Sequence, residues 1–497
     1  MARQAVRTAL KHVLWFCAYG VLGVVLTLLV VFVLHLEGRP DLDAWHRAEL
    51  DEEFTAGSRV SNFEEYLALE DRLFAQLDER VYDHTGPAGE DRVNRYKRGS
   101  LSDPQRWTPD WNRSFEMPVD APRASVLLLH GLSDSPYSLR ALGERLHAEG
   151  AHVLGLRIPG HGTAPSGLVT VRWQDMAAAV RLAVAHLAER NPGRPLHVVG
   201  YSNGAALAVQ YALAAIDDPA LPRVDRLVLL SPEIGVAAAA ALAVWQARLG
   251  YLLGLDKLAW NDILPEYDPF KYGSFAVNAG DVSHRLTAEI QRRIDQLAEG
   301  GKLGAIPSIL AFSSAVDATV LAPALVANLF DRLPPGPHEL VLFDINHVIG
   351  IEPLLSWSPD EMVRVLRRNA GRGFAFSLVT NADAHSREVI ERRWRPGSDL
   401  PVETPLGLQW PADVYSLSHV ALPFPPDDPV YGGRPHPPSP GVHLGDIAWR
   451  GERGVLQVSA AAMLRLRWNP FYSYQERRVL EFLSLAEPTA GGRARPE

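Results

Sequence analysis

The ten residues from Pro195 to Gly204 constrain the fold of this chain more than any other stretch. They read Pro-Leu-His-Val-Val-Gly-Tyr-Ser-Asn-Gly, so an apolar run with the pattern of a short buried strand leads into Gly-x-Ser-x-Gly. An alanine-rich segment with the composition of a helix, residues 205–215, follows at once. Gly200 and Gly204 would let the chain turn sharply and hold Ser202 at the apex, in front of the helix amides. This arrangement predicts a serine nucleophile for acyl transfer.

The surroundings of this motif give it weight, because a chain with 39 glycines can contain Gly-x-Ser-x-Gly by chance. Apolar runs predicted as strands alternate with helical stretches on both sides of it. The further strands are expected at 124–131, ending in His-Gly, and at 152–158 and 226–231, and the helices at 138–149, 173–190 and 205–215. This alternation predicts right-handed βαβ units and a parallel sheet, with ligands bound at the carboxyl ends of the strands. Ser202 lies at such an end.

Three segments, in this order, resemble the α/β-hydrolase superfamily: His130-Gly-Leu-Ser-Asp-Ser-Pro-Tyr137, Ile158-Pro-Gly-His-Gly162 and Gly200-Tyr-Ser-Asn-Gly204. They are most similar to the monoglyceride lipase and serine aminopeptidase branch, in particular to membrane-anchored bacterial members. The resemblance covers 123–235 well and 305–350 moderately. It implies an α/β-hydrolase fold, with a mostly parallel central sheet flanked by helices and a cap insertion. It also implies a serine hydrolase acting on an ester, a lipid ester or an amide.

A serine hydroxyl becomes nucleophilic when a histidine takes its proton and a buried carboxylate orients that histidine. Asp317 follows a predicted strand at 307–313 and resembles the acid of the family, although it could also be a solvated loop residue. The resemblance further implies that the backbone amides of Leu132 and Asn203 form the oxyanion hole. No metal or organic cofactor is expected, since one cysteine and scattered histidines do not form a metal site.

Two histidines compete for the role of base. His347 ends a predicted strand at 339–346, at the interval after Asp317 expected for one helix, one strand and a loop. His419 ends a strand-like run at 414–418, which requires the preceding block to be inserted before the last core strand.

We favour His419 because two other elements suit that arrangement. Residues 374–381 have the pattern of a further strand, and a helix expected at 473–485 would close the chain after the histidine loop. The segment from Ser416 to Phe424 also resembles the histidine loop of membrane-anchored bacterial members. His347 remains the alternative base.

An uncharged apolar run, Val13 to Leu34, precedes all of these motifs. As a helix it would be about 33 Å long, enough to cross a hydrocarbon core of about 30 Å. It is long for a signal peptide and lacks a small-x-small cleavage site, so an uncleaved anchor is favoured over a cleaved signal or a buried helix. Arg3, Arg7 and Lys11 precede the run and acidic residues follow it, which predicts a single-pass protein of the bacterial inner membrane with a periplasmic catalytic domain.

The expected organisation has six parts. They are a cytoplasmic N-terminus and transmembrane anchor (1–36), an extension with helices at 42–54 and 63–82 (37–122), the first part of the core (123–235), a cap or lid insertion (236–304), the second part of the core (305–432), and a C-terminal hairpin and helix (433–497). The net charge of −9, without a basic patch, argues against a nucleic-acid partner, and no protein partner is indicated.

These observations predict a membrane-anchored serine hydrolase that cleaves carboxylic esters, plausibly derived from lipids, through a Ser-His-Asp triad and an acyl-enzyme. A peptidase or acyltransferase of the same fold is one alternative. The other is a non-catalytic binding or scaffold protein with this fold.

Overall fold

Twelve strands and thirteen α-helices are formed by the residues that the structure, a computed structural model, describes: 2–89, 91–235, 255–369, 371–447 and 456–486. The strands are β1 Phe115–Met117, β2 Ala124–Leu129, β3 Ala151–Leu156, β4 Leu196–Tyr201, β5 Arg226–Leu230, β6 Trp260–Asp262, β7 Phe275–Ala276, β8 Ser308–Ser314, β9 Glu339–Phe343, β10 Ala375–Asn381, β11 Glu388–Trp394 and β12 Val402–Gln409. The helices are α1 Ala2–Glu37, α2 Ala44–Arg47, α3 Phe63–Leu77, α4 Asp83–Thr85, α5 Arg140–Ala148, α6 Gly167–Thr170, α7 Trp173–Arg190, α8 Asn203–Asp217, α9 Val277–Glu299, α10 Ala322–Asn328, α11 Asp360–Arg368, α12 Ala460–Met463 and α13 Tyr472–Phe482.

A ten-stranded sheet in the order β1-β3-β2-β4-β5-β8-β9-β10-β11-β12 forms the centre of the fold. The strands from β3 across to β10 are parallel, while β1 pairs antiparallel with β3 at one edge and β11 pairs antiparallel with both β10 and β12 at the other. Every residue of β2, β3 and β4 is buried, as expected for parallel strands covered on both faces. The chain passes from β2 to β3 on one side of the sheet, and from β4 to β5 on the other side. A crevice is therefore expected at the carboxyl ends of β2 and β4.

Helices cover both faces of this sheet. On one face, α7, α8 and α9 contribute Leu187, Leu207 and Leu286 to the larger hydrophobic cluster. On the other face, α5 and α13 contribute Leu142 and Val479 to a second cluster. The sheet and its helical layers have the architecture of an α/β-hydrolase fold.

Only part of the segment predicted as a cap can be described, since residues 236–254 lie outside the described ranges. Its remaining residues form the two-stranded β6–β7 sheet and α9. Ile290 and Ile294 of α9 are fully buried in the larger cluster, so this helix belongs to the layer that covers the sheet.

The N-terminal helix α1 includes an apolar window, Leu10–Leu34, with a mean hydropathy of 2.7. No residue of this window is buried by the rest of the described chain. By length and composition, this window is sufficient to cross a membrane.

The extension that follows α1 contains less helix than predicted. The prediction of a helix at 42–54 was wrong for all but the four residues of α2. The chain leaves helical geometry at Ala48, where ψ is 123°. The residues beyond it make tertiary contacts instead. Glu53 pairs with Arg157 at 2.9 Å and accepts a hydrogen bond from the Gly160 amide at 2.9 Å. The extension is thereby fixed to the loop after β3.

The C-terminal part extends the sheet beyond β9. The strand predicted at 374–381 is β10, and β11 and β12 continue from it as an antiparallel meander. The run at 414–418, by contrast, forms only one bridge, between Ile345 and Ser416, and not a strand. The described residues of 433–497 contain α12 and α13 but none of the expected hairpin.

Candidate active site

Ser202 forms a strained turn between β4 and α8. Its backbone has φ 54° and ψ −116°, a left-handed conformation that L-residues rarely adopt. A Cβ at Gly204 would collide with the carbonyl oxygens of Leu129 and His130, and one at Gly200 would lie 2.5 Å from Ala205 Cα. Only glycine therefore fits at either position, and the turn presents the Ser202 side chain at the carboxyl end of β4.

His419 and Asp317 lie next to this serine and complete a chain of hydrogen bonds. His419 Nε2 is 3.0 Å from Ser202 Oγ, and His419 Nδ1 is 2.9 Å from Asp317 Oδ2. The side chains are largely enclosed, with relative exposures of 8% for Ser202, 5% for His419 and 1% for Asp317. A proton on Nδ1, shared with Asp317, leaves Nε2 free to accept the serine proton.

The surroundings of Asp317 keep its carboxylate charged. Burial alone would raise its pKa, but the charge and hydrogen bond of His419 oppose this effect. The amides of Thr319 and Val320 also donate to Asp317 Oδ1, at 2.8 and 2.9 Å. The net result is a pKa below the ordinary value of an aspartate, so Asp317 can orient an imidazole at neutral pH.

His347 lies in a different environment. Its Nε2 is 3.2 Å from Asp344 Oδ2, and its Nδ1 is 2.8 Å from Glu352 Oε1. Hydrogen bonds and charge from these two carboxylates raise the pKa of His347 to about 9, although partial burial opposes them. The structure thus brings together Ser202, Asp317 and His419, and it places His347 in a separate ion-pair cluster.

The two expected oxyanion donors lie at the ends of neighbouring strands. Asn203 is the first residue of α8, and Leu132 lies three residues past the end of β2. Within the described ranges, neither backbone amide donates to a protein acceptor. The loop that contains Leu132 is held by the segment between β6 and β7, because the Tyr272 amide donates a hydrogen bond to the Ser133 carbonyl at 2.9 Å. Both amides are therefore available to a ligand oxygen.

Two buried histidines near the site hold loops together. His130 Nε2 accepts a hydrogen bond from the Ile158 amide at 3.0 Å, and His161 Nδ1 lies 3.0 Å from the Pro159 carbonyl. Burial lowers the pKa of both, to about 4 for His161. They are neutral at ordinary pH. His130 links the loops after β2 and β3, and His161 makes its contact within the loop after β3.

Sequence reasoning missed Glu233, which contacts the turn from the end of β5. Its Oε2 accepts a hydrogen bond from Asn203 Nδ2 at 2.9 Å, and its backbone amide donates to the Ser202 carbonyl at 3.1 Å. Burial raises the pKa of this carboxyl, while the hydrogen bond from Asn203 opposes the shift. A carboxylate just past a strand that neighbours the motif was the available signal.

Among the described residues, no group of three or more His, Cys, Asp or Glu side chains is arranged to hold a metal ion.

Residues 120–344 match the family model of the serine aminopeptidases, S33. The matched region contains Ser202 and Asp317 and ends before His419. The match covers less than half of the chain, and together with the mostly parallel sheet it supports an α/β-hydrolase fold.

Several solved structures are similar over about half of this chain. A structure described for the metagenome-derived lipolytic enzymes LipS and LipT is 19% identical, with a TM-score of 0.36, over 52% of this chain and 98% of that one. A monoacylglycerol lipase of Paleococcus ferrophilus is 20% identical, with a TM-score of 0.36, over 46% and 88%. A soluble variant of the Saccharomyces cerevisiae monoglyceride lipase is 15% identical, with a TM-score of 0.35, over 46% and 82%.

Proposed function

We propose that this protein is a membrane-anchored serine hydrolase that cleaves carboxylic esters through Ser202, His419 and Asp317. One observation carries the proposal: an unbroken chain of hydrogen bonds joins the serine, the imidazole and a buried carboxylate at the end of a parallel strand. The strained backbone of Ser202 adds to it, because such strain persists mainly at functional sites.

In the proposed reaction, Ser202 Oγ attacks the ester carbonyl while His419 Nε2 accepts its proton. Asp317 stabilises the imidazolium that forms and keeps its ring in place. The amides of Leu132 and Asn203 hold the oxyanion of the tetrahedral intermediate. His419 then returns the proton to the leaving alcohol, which leaves an acyl-enzyme on Ser202. Water, activated by the same histidine, releases the acid.

The proposed substrates are lipid-derived esters, and the proposed location is a membrane surface. Support comes from α1, whose apolar window is unburied by the rest of the chain. The charge asymmetry around that window favours a cytoplasmic N-terminus and a periplasmic catalytic domain. The domain boundaries expected from the sequence belong to the same proposal, except that α9, within the segment 236–304, lies in the helical layer that covers the sheet and not in a cap.

The proposal is tested with a fluorophosphonate probe and p-nitrophenyl esters of increasing chain length. We expect the wild-type chain to label at a single serine and to turn over esters, and Ser202→Ala to lose both. The loss in kcat should be at least about 10⁴-fold, since removal of a triad nucleophile leaves only binding and oxyanion stabilisation.

Two other results would contradict the proposal. A folded wild-type protein that neither labels nor hydrolyses would favour the scaffold alternative. Faster turnover of aminoacyl p-nitroanilides than of esters would favour a peptidase.

A further inference from the structure

Glu233 contacts the serine turn but has no part in the mechanism above. It lies three residues past the end of β5, and it meets the turn through both its backbone and its side chain. The Glu233 amide donates to the carbonyl of Ser202, and the Glu233 carboxylate accepts from the side chain of Asn203. The residue that carries the nucleophile and the residue that carries a proposed oxyanion donor are thus held by one glutamate.

The backbone is strained on both sides of the contact between Glu233 and the serine turn. This strain indicates that the surrounding structure fixes the geometry of the contact. Ser202 has φ 54° and Ser231 has φ 40°, and both are left-handed residues other than glycine. Each is fixed by a hydrogen bond to the neighbouring strand, from the Ser202 amide to Leu230 at 2.9 Å and from the Ser231 amide to Phe312 at 2.7 Å. The turn at Ser231 directs the following residues back toward α8. Strain of this kind persists only where the surroundings determine it.

The side chain of Asn203 has a single anchor among the described residues. Its Nδ2 donates to Glu233, while its Oδ1 is buried with no partner there. A buried polar side chain normally pairs all of its polar atoms, and Asn203 pairs only Nδ2. The rotamer of Asn203 therefore depends on its one hydrogen bond, to Glu233. The backbone amide of the same residue is a proposed oxyanion donor. Its direction is therefore coupled to the position of its own side chain.

We propose that Glu233 is a positioning residue that holds the side chain of Asn203 and so aims the Asn203 amide at the oxyanion. This inference rests on the proposed function and deepens it. Glu233 touches neither the substrate nor the reacting atoms in this role. It acts by geometry, so an uncharged acceptor of the same shape should serve as well as the carboxylate.

The experiment compares kcat and KM for p-nitrophenyl butyrate among Glu233→Ala, Glu233→Gln, Asn203→Ala, Asn203→Asp and the swap Asn203→Asp with Glu233→Gln. Glu233→Ala and Asn203→Ala should each lower kcat about 10- to 100-fold, somewhat less than complete loss of a donor, and leave KM within about twofold. Their double variant should be no worse than either single one, because both remove the same contact.

The conservative variants separate positioning from a general structural role. Glu233→Gln should keep kcat within about threefold, since its carbonyl still accepts from Asn203. Asn203→Asp should lower kcat, because it places two carboxylates face to face. The swap should restore most of this loss, since the glutamine amide can donate to the new aspartate. Thermal unfolding of each variant shows whether it is folded, and if Glu233→Ala does not fold, the isosteric swap decides.

Three results would overturn the positioning role: a wild-type kcat in Glu233→Ala, a fall in Glu233→Gln as large as in Glu233→Ala, or a swap that restores nothing. These results differ from a failure of the proposed function. In that case the wild-type chain itself would show no labelling of Ser202 by the fluorophosphonate probe.

Discussion

At the residue scale, the proposed nucleophile and base meet across 217 residues of sequence. Because members of a triad act as a unit, loss of His419 should cost nearly as much as loss of Ser202. We predict that His419→Ala lowers kcat for p-nitrophenyl esters by at least about 10⁴-fold. His347→Ala should keep kcat within about threefold, since its ring nitrogens are 2.8 and 3.2 Å from other carboxylates. An active His419→Ala beside an inactive but folded His347→Ala would contradict this assignment.

His347→Ala serves as a matched control because its effect should fall on stability and depend on pH. Asp344 and Glu352 raise the folded-state pKa of His347 to about 9, above the value of about 6.5 in an unfolded chain. A raised histidine pKa stabilises the fold fully below about pH 6.5, and this contribution is lost as the pH rises through 9. We expect urea unfolding to show a deficit of about 1 kcal/mol at pH 6 that vanishes near pH 10. A deficit that grows with pH would contradict the ion-pair assignment.

Local sequence patterns were sufficient to predict β4, the turn and α8, and they drew attention to Ser202 and Asp317. The choice between His419 and His347 was not local, because it depends on which loop returns to the end of β8. Glu233 was overlooked for a similar reason. The direction of its side chain depends on the left-handed backbone of Ser231, which tertiary hydrogen bonds determine.

At the element scale, buried apolar residues were not sufficient to predict every helix. In α3, Phe63, Tyr66 and Leu73 are buried on one side, and the helix begins where expected. Residues 42–54 also bury Leu42, Trp45 and Phe54, but the helix there ends after Arg47, and Glu53 is held by Arg157. Polar side chains that find a buried partner can therefore override helical propensity over one or two turns.

The last helix, α13, is joined to the sheet by a buried ionic network. Arg478 donates to Glu339 on β9 at 2.7 Å and to Glu391 on β11 at 2.6 Å. The same segment helps to hold the histidine loop, since Gln475 Nε2 donates to the Leu422 carbonyl at 2.9 Å. The C-terminal helix therefore supports both the edge of the sheet and the loop that carries His419.

Loss of the Arg478 guanidinium should destabilise the fold without changing the chemistry. Arg478→Met would leave Glu339 and Glu391 buried without this partner, and breaking a buried pair costs about 3–5 kcal/mol. We expect urea unfolding to show a loss of that size, with kcat near the wild-type value at temperatures where the variant is folded. Restored stability in Arg478→Met combined with Glu391→Gln would support the ionic explanation. An unchanged unfolding midpoint in the single variant would contradict it.

At the scale of the whole molecule, α1 is attached closely to the catalytic body. Two residues beyond its end, Arg39 donates to the carbonyls of Lys257 and Trp260 at 2.8 and 2.7 Å. Lys257 in turn pairs with Asp41 at 2.8 Å. The short connection means that, if α1 spans a bilayer, β6 and its neighbours lie close to the membrane surface. That position would suit a substrate that is itself a membrane lipid.

The proposed orientation of the molecule across a membrane rests on the charges at the two ends of the apolar run Val13 to Leu34. Arg3, Arg7 and Lys11 precede the uncharged run Val13 to Leu34, and under the positive-inside bias they would keep the N-terminus in the cytoplasm and export the rest of the chain. We predict that, in a bacterial host, alkaline phosphatase fused after residue 60 is active and a reporter that folds only in the cytoplasm is inactive. Both fusions should sediment with membranes and require detergent for release.

Replacing the three basic residues with glutamate is the matched control, because it removes the bias and should lower phosphatase activity. The opposite reporter pattern in the unaltered chain would contradict the orientation, and recovery in the soluble fraction would contradict the anchor.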